Sequence, residues 1–149
     1  MNFRRANDFD AEEIVILRKN TFEKINGKNL AREVLDVLNK KNGVSTILDK
    51  MKKREMFCLI ENENIVGTVD LNGDEIGGVF VRYDLVGKGI GTKLMDFIEK
   101  YSKNKGLQKV FLRSTKYVKE FYIKRGYGLM DELNFSSGGV NLYMEKNLI

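Results

Sequence analysis

The strand, glycine-rich turn and helix between Glu75 and Tyr101 constrain the fold of this chain more than any other stretch. Residues 76–81 are rich in β-branched and aromatic side chains, which favours a strand. After the turn, apolar side chains recur on one helical face at Ile90, Leu94, Phe97, Ile98 and Tyr101. The alternating glycines of the turn lack β-carbons, so a ligand can approach the backbone closely. The helix directs its unpaired N–H groups toward the same place, so we predict a phosphate or pyrophosphate site.

The glycine turn at residues 86–91 has four competing interpretations. A Walker A loop requires Ser or Thr after Gly-Lys, but Gly89 follows Lys88 here, so this interpretation fails. A Rossmann fingerprint requires a third glycine three residues after the second, whereas Gly91 follows Gly89 by two. A coenzyme A loop and an ordinary strand-to-helix turn both stay open on this stretch alone.

Residues 74–94 resemble the fourth strand, coenzyme A loop and third helix of the GNAT superfamily of N-acetyltransferases. The family's loop pattern is Arg/Gln-x-x-Gly-x-Gly/Ala, and Gly89 and Gly91 stand at its last two fixed positions. Val86 departs from the pattern at the Arg/Gln position, and Tyr83 stands where the family often has Pro. The departure at Val86 leaves the backbone argument intact, because N–H groups hold the phosphates.

A second stretch, residues 114–127, resembles the GNAT pattern Asn/Ser-x-x-Ala-x-x-Phe-Tyr-x-x-x-Gly-Phe/Tyr. The Phe121-Tyr122 and Gly126-Tyr127 pairs match it in type and spacing. Thr115 takes the Asn/Ser position, and Val118 takes the usual Ala position. The two motifs occur in the family's order and at its separation, so the resemblance covers about residues 56–147.

The resemblance implies that acetyl-CoA binds as a cosubstrate and that no metal is required. The pyrophosphate is expected on the loop and the start of the helix, at Val86, Gly87, Lys88, Gly89, Ile90, Gly91 and Thr92. The pantetheine arm is expected to run beside the fourth strand. Its predicted contacts are backbone groups of Phe80 and Val81, with Thr115 as a further contact.

The implied reaction is attack of a neutral amine on the thioester carbonyl. A backbone amide near Val81 is the candidate donor to the developing oxyanion. Tyr122 is the candidate acid for the leaving thiolate, because a phenol stays protonated at neutral pH. Outside its motif, Tyr122 would be interpreted as a buried core aromatic. Glu75 is the candidate base that would deprotonate the amine, and Asp70 and Asp74 are possible substitutes for it. The alternative interpretation of Glu75 is a solvated carboxylate at the end of a strand.

The order of the predicted elements indicates an α/β fold. A short strand at residues 3–6 precedes helices that begin near Asn7, near Asn29 and at residue 44. Three strands follow as an antiparallel meander with turns near residues 62–64 and at Asn72-Gly73. The central helix, ending at Gly106, connects the third of these to a parallel strand at residues 110–112. A helix over 115–125 and two strands joined at residues 136–139 complete a mixed, largely antiparallel sheet.

The length and the residue composition limit the classes of protein to which this chain can belong. The 149 residues predict one domain, 1–149, and the N-terminus lacks the apolar region of a signal peptide. No stretch reaches the ~20 apolar residues that span a bilayer, so no membrane partner is expected. One cysteine, Cys58, predicts a buried thiol and a reducing, cytoplasmic location. The absence of histidine excludes a Ser-His-Asp hydrolase and removes the commonest metal ligand.

The charge pattern and the motifs leave two functional hypotheses. A net charge of +5 is spread along the chain, which favours a solvated surface over nucleic-acid binding. The first hypothesis is an acetyl-CoA-dependent N-acetyltransferase acting on a primary amine of a small molecule or protein, with a homodimer as one compatible assembly. The second is a catalytically silent acyl-CoA-binding sensor or regulatory module of the same fold.

Overall fold

Seven strands form one mixed sheet in the computed structural model, which describes residues 1–24, Asp36, 43–134 and 140–149. Their bounds are β1 Asn2–Arg5, β2 Glu55–Glu61, β3 Asn64–Asn72, β4 Glu75–Val81, β5 Lys109–Ser114, β6 Gly128–Asn134 and β7 Val140–Asn147. They lie in the order β1-β2-β3-β4-β5-β7-β6. The β4–β5 pair is parallel and the other pairs are antiparallel, which confirms the predicted mixed sheet.

Four α-helices of the described residues flank the sheet: α1 Ala11–Lys24, α2 Val44–Lys53, α3 Ile90–Asn104 and α4 Lys119–Lys124. The chain enters α1 through a short 3-10 turn that Asn7 caps, since its side chain accepts the Phe9 N–H. The helix predicted near Asn29 and the turn predicted at residues 136–139 lie outside the described residues.

Alternation along the strands divides the apolar core between the two faces of the sheet. In β2, Met56 and Cys58 pack with α1 and α2, while Phe57 and Leu59 pack with α3. The amphipathic face of α3 is buried as its spacing predicts, and Leu94 and Ile98 are inaccessible to solvent. The same core holds residues of β5 and β7 and, from the second motif, Tyr122 and Tyr127.

Cys58 lies in the core, as its apolar neighbours predict. Its side chain is inaccessible to solvent, and burial raises the pKa of the thiol to about 12. A thiol in this setting stays protonated and inert at neutral pH. None of the helices in the described ranges is long and apolar enough to cross a membrane.

The helix predicted over residues 115–125 is wrong at its start. It begins at Lys119, and residues 115–118 form a turn in which the Val118 N–H donates to the Thr115 carbonyl. Val118 has no side-chain oxygen with which to cap the helix, and β-branched Thr115 and Val118 favour helix less than straight-chain residues do. The predicted end is confirmed, since Gly126 has φ +98° just beyond α4.

A bulge interrupts β4 in the middle of the strand. The register with β3 shifts between Thr68 and Asp70, so the β4 backbone at Gly78 holds an extra residue. Gly78 has φ +57°, a conformation that glycine adopts at little cost. The bulge bends β4 shortly after its last pairing with β5, which determines the shape of the site described next.

Candidate functional site

A gap opens between β4 and β5, the two parallel strands at the centre of the sheet. They are in register at only two positions, where Glu75 pairs with Phe111 and Ile76 with Leu112. Beyond Ile76 the strands have no further pairs, although β4 continues to Val81 and β5 to Ser114. Strand edges that face an open gap present backbone N–H and C=O groups that the ladder does not use.

The backbone N–H and C=O groups of Val81 face this gap, and those of Phe80 face β3 instead. The Arg82 N–H donates to the Val66 carbonyl, so Arg82 and every second residue before it point their backbone groups toward β3. Phe80, paired with Thr68, has that orientation, and Val81 has the opposite one. The Val81 carbonyl accepts a hydrogen bond of 2.9 Å from the Thr21 hydroxyl on α1. Of the two β4 residues that the sequence suggested, Phe80 and Val81, only Val81 therefore directs its N–H at the gap.

The glycine turn ends at the N-terminus of α3, next to the same gap. Gly87 and Gly89 both have φ +83°, and both are exposed. Gly89 occupies the N-cap position of α3, where no side chain caps the helix. The first N–H groups of α3, which include those of Ile90 and Gly91, consequently lack a helical partner. A β-carbon built on Gly87 or Gly89 would meet no atom within 4 Å, so the space beside the loop is open to a phosphate group.

The third glycine of the turn serves helix packing. A β-carbon on Gly91 would lie 3.3 Å from Cζ of Phe121 and 3.9 Å from a methyl group of Val81. Gly91 thus allows α4 to pack closely against the first turn of α3, beside the gap. Gly91 belongs to the first sequence motif and Phe121 to the second, so the two motifs meet at this contact.

Tyr122 lies on the α3 side of the sheet, buried between two aromatic rings. The ring centroids of Phe121 and Tyr127 are 5.1 and 5.7 Å from its own, both in edge-on geometry. Only 7% of the residue is exposed, and burial raises the pKa of the phenol to about 12, against a smaller opposing effect of Arg125. Its hydroxyl makes no hydrogen bond to another residue in the described part of the chain, so its proton is available to a ligand.

The remaining predicted coenzyme contacts lie around the mouth of the gap. Thr115 follows directly after β5, where it is exposed, and its carbonyl accepts the Ser114 hydroxyl at 2.7 Å. Val86 is 49% exposed, and Lys88 and Thr92 are also exposed. Val86 and Lys88 lie in the loop and Thr92 lies just after it, so their exposed side chains are accessible to a ligand there.

Glu75 lies on the opposite face of the sheet from Tyr122. Its two carboxylate oxygens are 3.3 Å from Nη1 of Arg54 and 3.0 Å from Nε of Arg113. Two guanidinium groups therefore compete with any incoming ammonium group for this carboxylate. Of the two possible substitutes, Asp70 is only 1% exposed and Asp74 is an exposed turn residue.

A buried charge network behind the bulge was missed by the sequence analysis. Asp70 forms an ion pair with Arg54, and Arg18 lies against the Gly78 carbonyl and over the Phe80 ring at 4.6 Å. Burial lowers the pKa of Arg18 to about 10, with the charge of Asp70 opposing this, so Arg18 remains a cation at neutral pH. A signal for this site was present, because two adjacent glycines inside a strand often mark a close approach by other groups.

Gly77 and Gly78 make room for that network. A β-carbon on Gly78 would lie 2.3 Å from Oδ2 of Asp70, and one on Gly77 would lie 2.8 Å from Nη2 of Arg54. The bulge and the charges beneath it consequently depend on each other. Among the described residues, no group of three or more acidic or cysteine side chains lies close enough to hold a metal ion.

A family model matches most of the chain. Residues 8–148 match the model described as an acetyltransferase (GNAT) domain. The match includes both motifs, the bulged strand and the sheet around the gap.

Several solved structures share this fold at low sequence identity. A GCN5-related N-acetyltransferase from Rhodopseudomonas palustris is similar with a TM-score of 0.88 and 20% identity, over 98% of this chain and 94% of that one. The PaiA N-acetyltransferase from Thermoplasma acidophilum, in complex with coenzyme A, is similar with a TM-score of 0.83 and 17% identity, over 98% of each chain. The aminoglycoside 6'-N-acetyltransferase from Enterococcus faecium is similar with a TM-score of 0.71 and 16% identity, over 100% of this chain and 98% of that one. At these identities the likeness shows the fold.

Proposed function

Because the chain belongs to the GNAT acetyltransferase family, we propose that it transfers an acetyl group from acetyl-CoA to a primary amine of a small molecule or protein. The observation that carries the proposal is the gap between β4 and β5. It is bordered at one end by the uncapped N-terminus of α3 and on one face by α4, the helix of Tyr122. A cofactor with a pyrophosphate at one end and a thioester at the other suits the chemistry of this arrangement.

The chain offers separate groups to the two ends of acetyl-CoA. The N–H groups of residues 87–92 would hold the pyrophosphate, and Lys88 adds positive charge beside them. The Val81 N–H would hold the pantetheine arm or the acyl oxygen, and Thr115 borders the arm from the end of β5. Phe80 and Val86 remain predicted contacts, which for Phe80 would have to involve its side chain.

Acetyl-CoA, when bound, supplies an activated acyl group whose transfer forms one C–N bond and breaks one C–S bond. The Val81 N–H is placed to donate to the acyl oxygen as that oxygen gains negative charge. The Tyr122 hydroxyl would give its proton to the departing sulfur, and it remains a phenol at neutral pH because burial raises its pKa to about 12. These roles place the acid on the α3 side of the sheet and leave the opposite face to the amine.

The amine must lose a proton before it attacks, since an unperturbed alkyl amine has a pKa near ~10. Glu75 lies on the face from which the amine would approach, so it stays our candidate for accepting that proton directly or through water. Its ion pairs with Arg54 and Arg113 oppose this role, because they occupy both carboxylate oxygens.

Location and assembly form part of the proposal. We infer a cytoplasmic enzyme in which residues 1–149 form one domain and which requires no metal. The buried, unpaired Cys58 supports a reducing compartment. A homodimer is compatible with the proposal, and neither nucleic acid nor membrane is needed for it.

The test is a thiol-release screen with purified protein, acetyl-CoA and a panel of amines, amino acids, peptides and aminoglycosides. Aminoglycosides are included because solved relatives of this fold are named for their acetylation. We expect release of free thiol above the amine-free rate with at least one acceptor, and mass spectrometry should show one acetyl group on that acceptor. Binding of acetyl-CoA without thiol release from any amine would instead favour the silent sensor module.

A further inference from the structure

One carboxylate, that of Glu99 on α3, collects donors from three other parts of the fold. It accepts the Tyr127 hydroxyl at 3.0 Å and Nζ of Lys146, on β7, at 2.7 Å. Nη2 of Arg125, just beyond α4, lies 3.2 Å from it and also bonds Asp96 at 2.8 Å. We call Glu99, Arg125, Tyr127 and Lys146 the Glu99 cluster. The Glu99 side chain is 12% exposed and that of Arg125 is 14% exposed, so these bonds are shielded from water.

The helix that carries Tyr122 depends on such contacts for its position. It has six residues, and its N-cap residue Val118 makes no side-chain hydrogen bond. Isolated helices shorter than about 12 residues are marginal in water, so α4 is not rigid on its own account. The orientation of Tyr122 is therefore determined by what α4 packs against.

Both ends of α4 are fixed to α3. At one end Phe121 packs on Gly91, in the first turn of α3. At the other end the chain continues through Arg125 and Tyr127, and both of these side chains bind Glu99. The Tyr127 N–H donates to the Tyr122 carbonyl at 3.1 Å, and the two rings meet edge-on. A displacement of Tyr127 would consequently move Tyr122.

We propose that Glu99 and Tyr127 are positioning residues that fix the Tyr122 hydroxyl relative to the N-terminus of α3. The inference rests on the proposed function, because it concerns the group assigned as the proton donor. One ligand would have to contact both the α3 N-terminus and Tyr122, so the distance between these two groups must be constant. The Glu99 cluster would supply that constancy from the second half of α3, away from the N-terminus that would hold the ligand.

The charge state of the cluster suits this role. Burial and the negative charge of Glu99 both raise the pKa of Tyr127, so its hydroxyl donates at any pH in the working range. Burial lowers the pKa of Arg125, but its bonds to Asp96 and Glu99 raise it by more, so this side chain stays charged as well. At neutral pH the Tyr127 hydroxyl can therefore donate and Arg125 is charged, as the positioning role requires.

The test uses Tyr127→Phe and Glu99→Gln in the full chain, with an acceptor amine found by the screen. Tyr127→Phe keeps the ring and removes one bond to Glu99, while Glu99→Gln keeps an acceptor and removes its charge. We expect kcat to fall on the order of 10-fold in each, because small misplacements of a reacting group are costly. The dissociation constant of coenzyme A, measured by calorimetry, should change less than about twofold, since the α3 N-terminus is untouched.

The matched control is Glu55→Gln, at the start of β2, where Glu55 binds side chains near the far end of α3. Glu55 accepts the Tyr101 hydroxyl at 2.7 Å and Nζ of Lys105 at 2.6 Å, so it has the same two kinds of partner. It has no contact with α4 among the interactions of the described residues. We expect kcat within about twofold of the wild type, even though the unfolding free energy falls by about as much as in Tyr127→Phe.

A double-mutant cycle with Tyr122→Phe separates positioning from a general structural effect. Once the phenol is absent, Tyr127→Phe should lower kcat by less than about twofold. An equal 10-fold loss in both backgrounds, or no loss in either single variant, would overturn the inference. If Tyr122→Phe itself has full activity, both the acid assignment and the inference fail, while acetyl transfer stands.

A second readout needs no acceptor. In protein labelled with 13C at the tyrosine rings and saturated with coenzyme A, the Tyr122 signal is identified by its loss in Tyr122→Phe. We expect one sharp ring signal in the wild type and in Glu55→Gln, and a shifted or exchange-broadened one in Tyr127→Phe. An unchanged Tyr122 signal in Tyr127→Phe would contradict the inference, even if no amine substrate is known.

Discussion

Tyr122 combines a buried ring with a hydroxyl that no described residue binds. The rings of Phe121 and Tyr127 fix two of its sides, and its pKa is raised to about 12 by burial. A core tyrosine normally places its hydroxyl against a hydrogen-bond partner. The proposed role of Tyr122 as proton donor to a ligand is consistent with its unengaged hydroxyl.

Tyr122→Phe should therefore impair turnover and spare the fold. If the phenol protonates the leaving thiolate, its removal should lower kcat on the order of 100-fold, the low end for a positioned general acid. The unfolding free energy and the affinity for acetyl-CoA should change little, because no hydrogen bond of the described chain is lost. Steady-state kinetics and urea unfolding of the same sample measure both quantities. Full turnover with a fold less stable by about 1 kcal/mol would instead identify Tyr122 as a structural aromatic.

At the same scale, the sequence predicts some site residues and not their partners. The motif spacing indicates Tyr122 and the loop glycines, because short-range spacing determines which face of a turn or helix a residue occupies. Glu75 is recognisable as a carboxylate at a strand start, but its partners Arg54 and Arg113 lie 21 residues before it and 38 after it. Contacts at that separation depend on the sheet order, which no local pattern encodes.

At the scale of elements, β4 differs most from what its sequence suggests. The strand is predicted correctly as an element, since residues 76–81 are rich in β-branched and aromatic side chains. Its bulge at Gly78 and its separation from β5 follow from the side chains beneath it, chiefly Asp70 and Arg18. The short helix α4 begins later than predicted because β-branched Thr115 and Val118 disfavour a helix start, and tertiary contacts of Phe121 support the turns that do form.

Gly78→Ala tests the link between the bulge and the charge network. The new β-carbon would be strained by φ +57° and would also meet Oδ2 of Asp70 at 2.3 Å. We expect a loss of unfolding free energy of about 1–3 kcal/mol from the backbone conformation, and a further loss from displacing Asp70. Chemical denaturation measures the total.

Gly73→Ala is the matched control for that variant. Gly73 has a similar φ of +63°, but a β-carbon there meets nothing within 4 Å. Gly73→Ala should therefore lose unfolding free energy only through its backbone conformation. The difference in this loss between the two variants isolates the effect of the contact with Asp70. Equal losses in the two variants would show that Asp70 moves away freely and that the network does not hold the bulge.

At the scale of the molecule, the sheet consists of two paired groups of strands that meet at one short parallel contact. Strands β1 to β4 form one group and β5 to β7 the other, with two register pairs between them. Helix α3 connects the groups and presents its N-terminus at the open end of the junction. The order of strands and helices predicts the parallel contact, because a strand, a crossover helix and a strand give a parallel pair. The length of the contact, and hence the gap, is visible only in the structure.

The central claim is that this gap and the adjoining loop bind acetyl-CoA. Calorimetric titration of acetyl-CoA into the wild type and two variants of Gly89 tests it most directly. Gly89→Asp adds a negative charge where the pyrophosphate would lie, while Gly89→Asn adds a side chain of similar size without charge. Asn tolerates the left-handed conformation that φ +83° requires, so it serves as the steric control.

We predict saturable binding to the wild type, weaker but measurable binding to Gly89→Asn, and none to Gly89→Asp at the same protein concentration. Circular dichroism should show that all three proteins are folded. Heat release from Gly89→Asp equal to that of the wild type, or no binding by the wild type at millimolar acetyl-CoA, would contradict the account.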